Sequence, residues 1–463
     1  MSSSTMYFNI PHEDLSEILS RTEDIWQKLK GERVFITGGT GFFGRWVLAS
    51  IAYANDILGA NIQVTVMSRD PESFRHKFPE CEQHNIHLHA GDLRHSNFPA
   101  GTFPHVIHLA TDPGYLPEEQ HLQIIDGTIN GTRRVLDFAS KRAETKNFLY
   151  CSSGAIYGPV SGKESISEDF KPAPDCTAPE SLFGTTKRLT EQLCTQHHKQ
   201  FGLNVKIARC FSFVGPHLPM GHYAIGNFLQ NALKGDKITI EGDGTPIRSY
   251  LYMSDLTVWL WHILLLGAPG SPYNVGSDQS YSIKTLAELI RTSTNTNEEV
   301  EVKRKENKHA HRSCYVPNIT KASNELGLRV WTSLPNALKR HIKWQQNNTE
   351  TASEQKTSYA PESKKFVVDI DGVIASITEG NDYTQSTPLA ENIRHINRLY
   401  AQGNYIVLFT ARGSETGIDW TELTQQQMDS WGVQYHELHL GKPSATYYID
   451  DKMLPPEALE YIN

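Results

Sequence analysis

Two aspartates separated by one residue follow an apolar run near the C-terminal end of the chain. The segment FVVDIDG places Asp369 and Asp371 where a short buried strand would end, and a later apolar run, IVLFT, ends in Thr410. Two carboxylates at this spacing repel each other unless a cation lies between them. The alternative is that the acids only terminate a strand as turn residues.

Three more residues with suitable chemistry follow in the sequence. Lys442 lies in HLGKP, and Asp450 and Asp451 follow a third apolar run. Phosphoryl transfer needs a nucleophilic carboxylate, a second carboxylate as acid and base, a hydroxyl and a lysine for phosphate, and acids for a metal ion. The set therefore predicts a magnesium-dependent phosphoryl-transfer site. The predicted metal-binding acids are Asp369, Asp371, Asp450 and Asp451.

A glycine-rich turn near the N-terminal end indicates a second kind of chemistry. In VFITGGTGFFG a strand-like run leads into Gly38, Gly41 and Gly44, with Phe42 and Phe43 between the last two glycines. Glycines allow a tight turn and a close backbone approach, so a pyrophosphate can lie on the N-terminus of the next helix. A purely structural turn is the alternative, but the position after the first strand of a strand–helix series favours a dinucleotide cofactor.

The end of the second strand-like run bears on which dinucleotide binds. An acid at this point favours NAD, whereas an arginine accommodates the 2′-phosphate of NADP. Ser68 and Arg69 end the run VTVMS, and Asp70 follows. The pattern leans towards NADP and leaves NAD open. Arg69 as a solvated loop residue is the other interpretation.

Alternating strand-like and helix-like segments must position these residues. Apolar runs rich in Val and Ile alternate with amphipathic stretches, which predicts a doubly wound, Rossmann-like parallel α/β sheet. Apolar residues at helical spacing predict an additional helix over residues 12–30. A polar stretch without periodicity predicts a flexible linker. We expect a first domain over residues 1–345, a linker over 346–363 and a second, small α/β domain over 364–463.

Composition argues against several classes of function. The 463 residues are 38% hydrophobic and 21% charged, which suits two or three soluble domains. A net charge of −8 argues against nucleic acid or an anionic membrane as the main partner. Six cysteines without a CxxC pair indicate neither a disulfide framework nor a zinc site, and they fit a reducing, cytoplasmic compartment. No signal peptide is expected, and the most apolar stretch, LTVWLWHILLLGAPG, is too short to span a bilayer.

The N-terminal region resembles the extended short-chain dehydrogenase/reductase family, which includes nucleotide-sugar epimerases, dehydratases and decarboxylases. TGGTGFFG, AGDLR, HLAT, CSSGAIYG, ARCFSFVGP, GDGTPIRSYLYMSDL and YNVGS occur in the order of that family over about residues 30–345. The resemblance implies a bound NAD or NADP, a nucleotide-sugar substrate, and a homodimer formed through the helices around Lys187.

The same resemblance assigns roles to individual residues. Those that would contact the cofactor are Asp92, Leu93, Ala110 and Lys187, the last by holding the nicotinamide ribose. Those that would contact the sugar nucleotide are Ser153, Asn227 and Arg248. Ser153 and Lys187 would also take part in catalysis.

The sugar end of the site departs from the family pattern. The segment SLFGTTK has Phe183 where the family carries the tyrosine of Tyr-x-x-x-Lys, which normally accepts the proton of the sugar hydroxyl. Gly154 and Ala155 stand where dehydratases and decarboxylases of the family carry an acid. Ser212 stands where ARxFN has asparagine.

Three explanations for Phe183 remain open. The domain binds the cofactor and the sugar nucleotide without turnover, or it uses a substitute base such as Tyr157, a substrate group or a water on Lys187. In the third explanation, another tyrosine approaches the nicotinamide. For Lys187 itself, a surface lysine on a helix is the alternative.

The C-terminal region, residues 364–463, resembles the haloacid dehalogenase superfamily. The resemblance implies that Asp369 attacks phosphorus and that Asp371 protonates the leaving oxygen and then activates water. Thr410 and Lys442 would bind the phosphoryl group.

Magnesium would lie on Asp369, the Ile370 carbonyl and Asp450 in such a site, with Asp451 orienting or replacing Asp450. Arg412 would bind substrate or be a solvated side chain.

Together, the two regions predict a bifunctional enzyme. An NAD(P)-dependent, epimerase/dehydratase-like domain would act on a nucleotide-activated sugar, and a magnesium-dependent phosphatase would act on a sugar phosphate, in surface polysaccharide biosynthesis. The alternative is that the first domain, lacking a tyrosine at Phe183, only binds cofactor and nucleotide sugar, so that the phosphatase alone is active.

Overall fold

The computed structural model describes residues 7–111 and 121–441, apart from short internal gaps. The gaps are 163, 222, 295, 297, 306–311, 359–363, 379–381, 402–403, 414–415 and 417, and for 349–358 only the backbone is described. The chain divides into two compact units, Met1–Asn348 and Thr349–Asn463.

A seven-stranded, fully parallel sheet forms the centre of the first unit, and three small sheets accompany it. The strands are β1 (Arg33–Thr37), β2 (Gln63–Ser68), β3 (Ile86–Ala90), β4 (His105–His108), β5 (Asn147–Ser153), β6 (Val205–Cys210), β7 (Phe213–Val214), β8 (Thr239–Ile240), β9 (Ile247–Ser249), β10 (Leu251–Tyr252), β11 (Ser271–Val275), β12 (Ser280–Ser282), β13 (Glu301–Val302) and β14 (Cys314–Tyr315). The order in the large sheet is β11-β6-β5-β4-β1-β2-β3.

This strand order is that of a doubly wound sheet. The chain moves outward from β1 to β3 and then crosses to β4 on the other side of β1. Helices cover both faces, so the Val- and Ile-rich runs that predict the strands are almost completely buried. Ligands of such sheets bind at the carboxyl ends of the strands, where the order reverses between β1 and β4. The predicted Rossmann-like fold is confirmed for the first unit.

Eleven helices belong to or begin in the first unit, within the described residues. They are α1 (His12–Arg21), α2 (Glu23–Leu29), α3 (Phe42–Leu58), α4 (Pro71–Lys77), α5 (His121–Lys141), α6 (Leu182–Phe201), α7 (Ala224–Lys234), α8 (Met253–Leu266), α9 (Ile283–Thr294), α10 (Thr320–Leu326) and α11 (Leu334–Ser358).

The additional helix predicted over residues 12–30 is present as the pair α1 and α2. Buried residues of α1 include Asp14, which accepts hydrogen bonds from Tyr252 and Arg340. Arg340 also pairs with Glu17, at 2.6 Å. Because Arg340 lies in α11, these bonds fasten the first helix of the chain to the last helix of the unit.

The prediction of a structureless linker over 346–363 is wrong for its first part. Helix α11 continues to Ser358. Apolar residues in its first turns, among them Leu334, Leu338 and Ile342, are buried. The following residues are mainly Gln, Glu, Asn, Thr and Lys, several of which are good helix formers, and once a packed turn exists each further residue adds one hydrogen bond.

In its described residues, the second unit is a three-stranded parallel sheet with helices, as the sequence predicts for a small α/β domain. Its elements are β15 (Lys365–Asp369), α12 (Ala390–Ala401), β16 (Tyr405–Thr410), α13 (Thr421–Ser430) and β17 (Glu437–Leu440). The strand order is β15-β16-β17. Ile370, Ile396 and Leu408 lie in its apolar core, which is separate from the cores of the first unit.

None of the helices in the described parts of the chain is both long enough and apolar enough to cross a membrane.

Candidate active sites

The glycine-rich turn joins β1 to α3 at the switch point of the large sheet. Gly38 has φ of +72°, and a Cβ there would come 2.6 Å from the backbone nitrogen of Ala110, which follows β4. A Cβ on Gly44 would collide with the carbonyl oxygens of Gly38 and Gly39. Gly41 donates its N–H to the Gly38 carbonyl, at 3.1 Å. The turn therefore requires glycine at positions 38 and 44, and the backbone of Ala110 lies directly against Gly38.

Helix α3 begins at Phe42, so its first N–H groups face the turn and are available to an anion. Phe43 packs edge-to-face on Phe213, with centroids 4.9 Å apart. Phe42 and Phe43 are thus the first residues of α3, and Phe43 anchors the helix to β7.

Arg45 is a further element of this turn that sequence reasoning missed. Its Nε donates to the carbonyl of Thr40, and its guanidinium lies 3.0 Å from Nδ1 of His217. Nε2 of His217 lies 2.9 Å from the Phe8 carbonyl. Burial and the positive charge of Arg45 lower the pKa of His217 to about 4, so the ring is neutral. The N-terminal segment therefore braces the glycine loop through these two side chains.

The residues predicted to contact the adenosine lie at the carboxyl ends of β2 and β3. Ser68 ends β2, and its Oγ accepts the Asp70 N–H at 3.3 Å. Asp70 itself caps helix α4 by accepting the Ser73 N–H. Arg69 lies between them and is largely exposed. The sequence signal for NADP is therefore a single arginine, because the neighbouring acid serves as a helix cap.

Asp92 and Leu93 follow β3. Arg94 donates to both carboxylate oxygens of Asp92, at 3.0 and 2.7 Å, and lowers the pKa of this acid to about 2. The Leu93 carbonyl accepts a hydrogen bond from Arg134. These residues lie on the expected edge of the sheet, although Asp92 is already paired with a neighbour in sequence.

Lys187 lies in the interior of the protein and is not a surface lysine. It is on α6 and is 2% exposed. Its Nζ donates to the Cys151 carbonyl at 2.8 Å, and burial lowers its pKa. The ring of Phe183 lies 5.9 Å from this nitrogen and that of Tyr150 lies 5.0 Å away. An apolar ring thus faces the ammonium where the family pattern would place a phenol.

Tyr157 is not available as a substitute base. It is 1% exposed, and its hydroxyl donates to Asn274 at 2.8 Å and accepts from Arg209 at 2.9 Å. Burial raises its pKa to about 12. The hydroxyl is thus occupied by Asn274 of β11 and Arg209 of β6, so this alternative is wrong.

Ser153 ends β5 and keeps part of its surface exposed. Its Oγ accepts the Ala155 N–H and lies 3.5 Å from the hydroxyl of Tyr315 in β14. The small residue at Gly154 leaves room for Tyr315 and Phe211. Tyr315 is a second residue that the sequence motifs missed, since it lies 162 positions from Ser153.

The two residues predicted to bind the diphosphate lie on separate elements. Arg248 is in β9, pairs in register with Tyr315, and donates to the backbone carbonyl of Ile247. Asn227 is in α7 and is partly exposed. Ser212, which replaces the family asparagine, uses its carbonyl to accept the Leu251 N–H between β7 and β10.

Comparison with known proteins agrees with this architecture. The model of the NAD dependent epimerase/dehydratase family matches residues 34–276, more than half of the chain. The chain belongs to this family. Among curated relatives, UDP-glucuronic acid decarboxylase 2 of Arabidopsis thaliana is 26% identical over 68% of this chain and 68% of its own length. UDP-N-acetyl-alpha-D-glucosaminuronate decarboxylase of Bacillus cytotoxicus is 27% identical over 68% of this chain and 97% of its own.

A solved epimerase/dehydratase structure shows the same fold. UDP-glucuronic acid 4-epimerase of Bacillus cereus, in complex with NAD, is 21% identical and gives a TM-score of 0.57, covering 68% of this chain and 99% of its own. The family match ends at residue 276, so the second unit is interpreted from its own residues.

In the second unit, polar side chains lie at the carboxyl ends of β15 and β16. Asp369 ends β15, and Thr410, which ends β16, is buried. Thr410 Oγ1 donates to Asp371 at 3.0 Å and accepts the Arg412 N–H at 3.1 Å. The structure therefore brings together three of the predicted phosphoryl-transfer residues.

Arg412 differs from both of its predicted roles. It is 2% exposed, and its Nε and Nη2 donate to the carboxylate of Asp371, with a shortest distance of 2.7 Å. Nη1 donates to Gln427 at 2.6 Å. Arg412 is neither solvated nor open to substrate, because α13 covers it. The cation that compensates Asp371 is this guanidinium.

The predicted magnesium ligands are only partly present in the described chain. The Ile370 carbonyl accepts N–H groups of the following turn, from Ile374 at 2.9 Å and Ala375 at 2.8 Å, so the prediction that it binds metal is not supported. Lys442, Asp450 and Asp451 lie outside the described residues. Within the described ranges, no group of three His, Cys, Asp or Glu side chains could hold a metal ion. Asp371, also predicted as a metal ligand, is paired with Arg412, and for Asp369 the metal-binding role stays a prediction.

Proposed function

We propose that the first unit binds NAD and a UDP-linked or related nucleotide sugar and changes the sugar by NAD-dependent epimerase-type chemistry. The observation that carries this proposal is the convergence of the glycine turn, Lys187 and Ser153 at one edge of the sheet. Two decarboxylases and an epimerase of UDP-sugars among its relatives support the substrate class.

NAD is the cofactor that we propose, against the sequence indication for NADP. The family to which the chain belongs is described as NAD dependent, and the related epimerase structure contains NAD. When bound, the nicotinamide would exchange a hydride with a sugar carbon. Ser68 and Arg69 would lie beside the adenosine ribose, and the first N–H groups of α3 would face the pyrophosphate.

Different residues of the chain would contact the cofactor, the sugar and the diphosphate. Lys187 would present a buried cation to the nicotinamide ribose, and the ring of Phe183 would shield it from water. Ser153 would hydrogen-bond the reacting sugar oxygen, and Arg248 would hold the diphosphate with its planar fork of donors. The small side chains of Ala155 and Gly154 suit an epimerase or reductase better than a lyase.

Two measurements test this function. Calorimetry of the purified protein with NAD and with NADP should show tighter binding of NAD. Incubation with a panel of nucleotide sugars should then change the absorbance of the nicotinamide during turnover or alter the sugar, as followed by NMR, because epimers have equal mass. Binding of a nucleotide sugar without any change in either would instead support a binding module. Failure to bind any nucleotide sugar would contradict the proposal.

We propose a second activity for the second unit, a magnesium-dependent phosphatase of the haloacid dehalogenase type acting on a sugar phosphate. The meeting of Asp369, Asp371 and Thr410 at the carboxyl ends of two parallel strands supports it. Asp369 would attack phosphorus and Thr410 would bind the phosphoryl oxygens. Arg412 would orient Asp371, the proposed acid and base, rather than touch substrate.

The phosphatase proposal predicts phosphate release from sugar phosphates that depends on Mg²⁺ and stops with a chelator. Ca²⁺ in place of Mg²⁺ is a suitable control, because the larger ion prefers more ligands and a different geometry. Equal release with and without Mg²⁺ would contradict the proposal. A cytoplasmic homodimer in surface polysaccharide biosynthesis is the setting that we propose for both activities, and sedimentation analysis would test the dimer.

A further inference from the structure

Tyr315 brings a phenolic hydroxyl to the sugar end of the first site from outside the segment that normally carries one. Its Oη lies 3.5 Å from Ser153 Oγ. Its ring packs against Phe211, with centroids 4.6 Å apart. The position is set by β14, whose parallel register pairs Tyr315 with Arg248. The residue as a whole is half-buried.

The glycine at position 154 belongs to the same arrangement. A Cβ on Gly154 would come 2.8 Å from Oη of Tyr315 and 2.9 Å from the ring of Phe211. Real side chains essentially never approach so closely, so any larger residue at this position would displace Tyr315. Gly154 therefore does two things at once. It stands where the family pattern has an acid, and it leaves the space that the Tyr315 hydroxyl occupies.

We propose that Tyr315, together with Ser153, presents the exchangeable proton to the reacting sugar oxygen, in place of the hydroxyl that Phe183 lacks. The inference rests on the proposed function of the first unit. A phenol can donate one hydrogen bond and accept another, and Ser153 can do the same, so the pair can hold a sugar oxygen between them.

The surroundings of Tyr315 decide the direction in which it moves a proton. The titratable and charged groups that face it are Cys210, Tyr223 and Arg248. Burial raises the pKa of Tyr315, and the hydrogen bond with Ser153 and the charge of Arg248 oppose this rise only in part. The phenol is therefore protonated at neutral pH and can donate its proton to a sugar oxygen.

A proton donor at this place suits the reduction of a keto sugar. The carbonyl carbon would gain its hydride from reduced nicotinamide, which Lys187 and the glycine turn would hold. Tyr315 supplies the proton: its O–H bond breaks, the carbonyl oxygen takes the proton to form the alcohol, and water restores the phenol. This step is the reductive half of the epimerase-type chemistry proposed for the first unit.

The test compares three proteins: wild type, Tyr315→Phe and Tyr281→Phe. Tyr281 lies in β12 of the same small sheet, and its hydroxyl donates to Gln279 at 3.4 Å, so it is the matched control. We expect Tyr315→Phe to reduce a UDP-4-keto-hexose with NADH about 10²-fold more slowly. Its affinity for a UDP-sugar, measured by calorimetry, should fall by less than about tenfold, and its affinity for NADH should not change.

A second substitution shows whether the phenol replaces the one missing at position 183. When Phe183→Tyr is added to Tyr315→Phe, the rate of keto-sugar reduction should rise at least about tenfold above that of Tyr315→Phe alone. Equal rates for wild type and Tyr315→Phe would overturn the inference while leaving the proposed function intact. A loss that Phe183→Tyr fails to restore, or that is accompanied by weaker NADH binding, would also overturn it. If the wild-type protein binds no nucleotide sugar, the proposed function and this inference both fail.

Discussion

Both units collect their polar side chains at the carboxyl ends of parallel strands, but they compensate buried charge in different ways. In the first unit, Lys187 is held by the Cys151 carbonyl and faces the rings of Phe183 and Tyr150. In the second unit, Asp371 is paired with Arg412, a side chain of opposite charge. A neutral carbonyl leaves the lysine's charge able to act on a ligand, whereas a guanidinium neutralises the aspartate.

The difference separates residues that can bind or react from residues that orient others. Burying a charge is costly unless a partner compensates it, so the partner indicates how much of the charge is left for a ligand. On this basis Lys187 is the residue of the first unit whose charge can act on a ligand. In the second unit, Arg412 is the orienting residue, because it holds the carboxylate of Asp371, the proposed acid and base.

The largest effect that we expect is the loss of phosphate release when the predicted nucleophile, Asp369, is replaced. Asp369→Asn keeps the shape of the side chain but removes its charge, so phosphate release should fall at least about 10³-fold. NAD binding by the first unit should be unchanged, as measured by calorimetry. Asp382→Asn, which changes an exposed acid at the start of a 3-10 turn, is the control. Unchanged turnover in Asp369→Asn would refute the assigned nucleophile.

Breaking the Arg412–Asp371 pair should cost stability in the second unit. Arg412→Leu leaves Asp371 without its buried partner, and we expect the free energy of unfolding of that unit to fall by about 3 kcal/mol. Urea unfolding would measure the loss. Arg394→Leu, which removes an exposed arginine of α12, should change it by less than about 0.5 kcal/mol. A similar small change in Arg412→Leu would show that the ion pair does not hold the unit together.

Lys187 should affect the first activity more than the stability of the fold. Lys187→Met keeps the length of the chain but removes the charge, and hydride transfer should slow about 10²-fold. Lys206→Met is a close control, because Lys206 is also buried but donates to Asn147 at 2.7 Å, near the start of β5 and away from the site. If both variants transfer hydride at the wild-type rate, Lys187 has no role in catalysis.

The smallest effect concerns pH and the buried histidine beneath the glycine turn. His108 bonds Thr37 and Thr132, and burial lowers its pKa to about 3. Its unfolded pKa is about 6.5, so the unfolded chain binds the proton first and stability falls as pH drops below that value. Between pH 6.5 and 5, this one residue should cost about 1 to 2 kcal/mol.

Urea unfolding of the first unit across this pH range would check the expectation. His108→Asn should flatten the pH dependence of the unfolding free energy, whatever its effect at neutral pH. His198→Gln, a partly exposed histidine of α6, should leave the slope as it is in the wild type. An identical slope in His108→Asn and wild type would mean that another group controls the acid sensitivity.

The sequence by itself determined the local features. The glycine turn, the Val- and Ile-rich strands and the acid pair at Asp369 and Asp371 are short segments whose composition dictates turn, strand or strand end. The alternation of strands with helices predicts a parallel, doubly wound sheet, although not the order of its strands. For the same reason, the position of Lys187 on the helix after β5 could be predicted, although its burial could not.

Only the tertiary structure decided which side chains meet. Tyr315 reaches Ser153 because β14 pairs in register with β9, a contact between residues 162 positions apart. Tyr157, a plausible base in the sequence, is occupied by Asn274 and Arg209 in the core. Arg412 is turned inward onto Asp371 by the packing of α13. Such contacts depend on register and packing between distant elements, and no local pattern in the sequence records them.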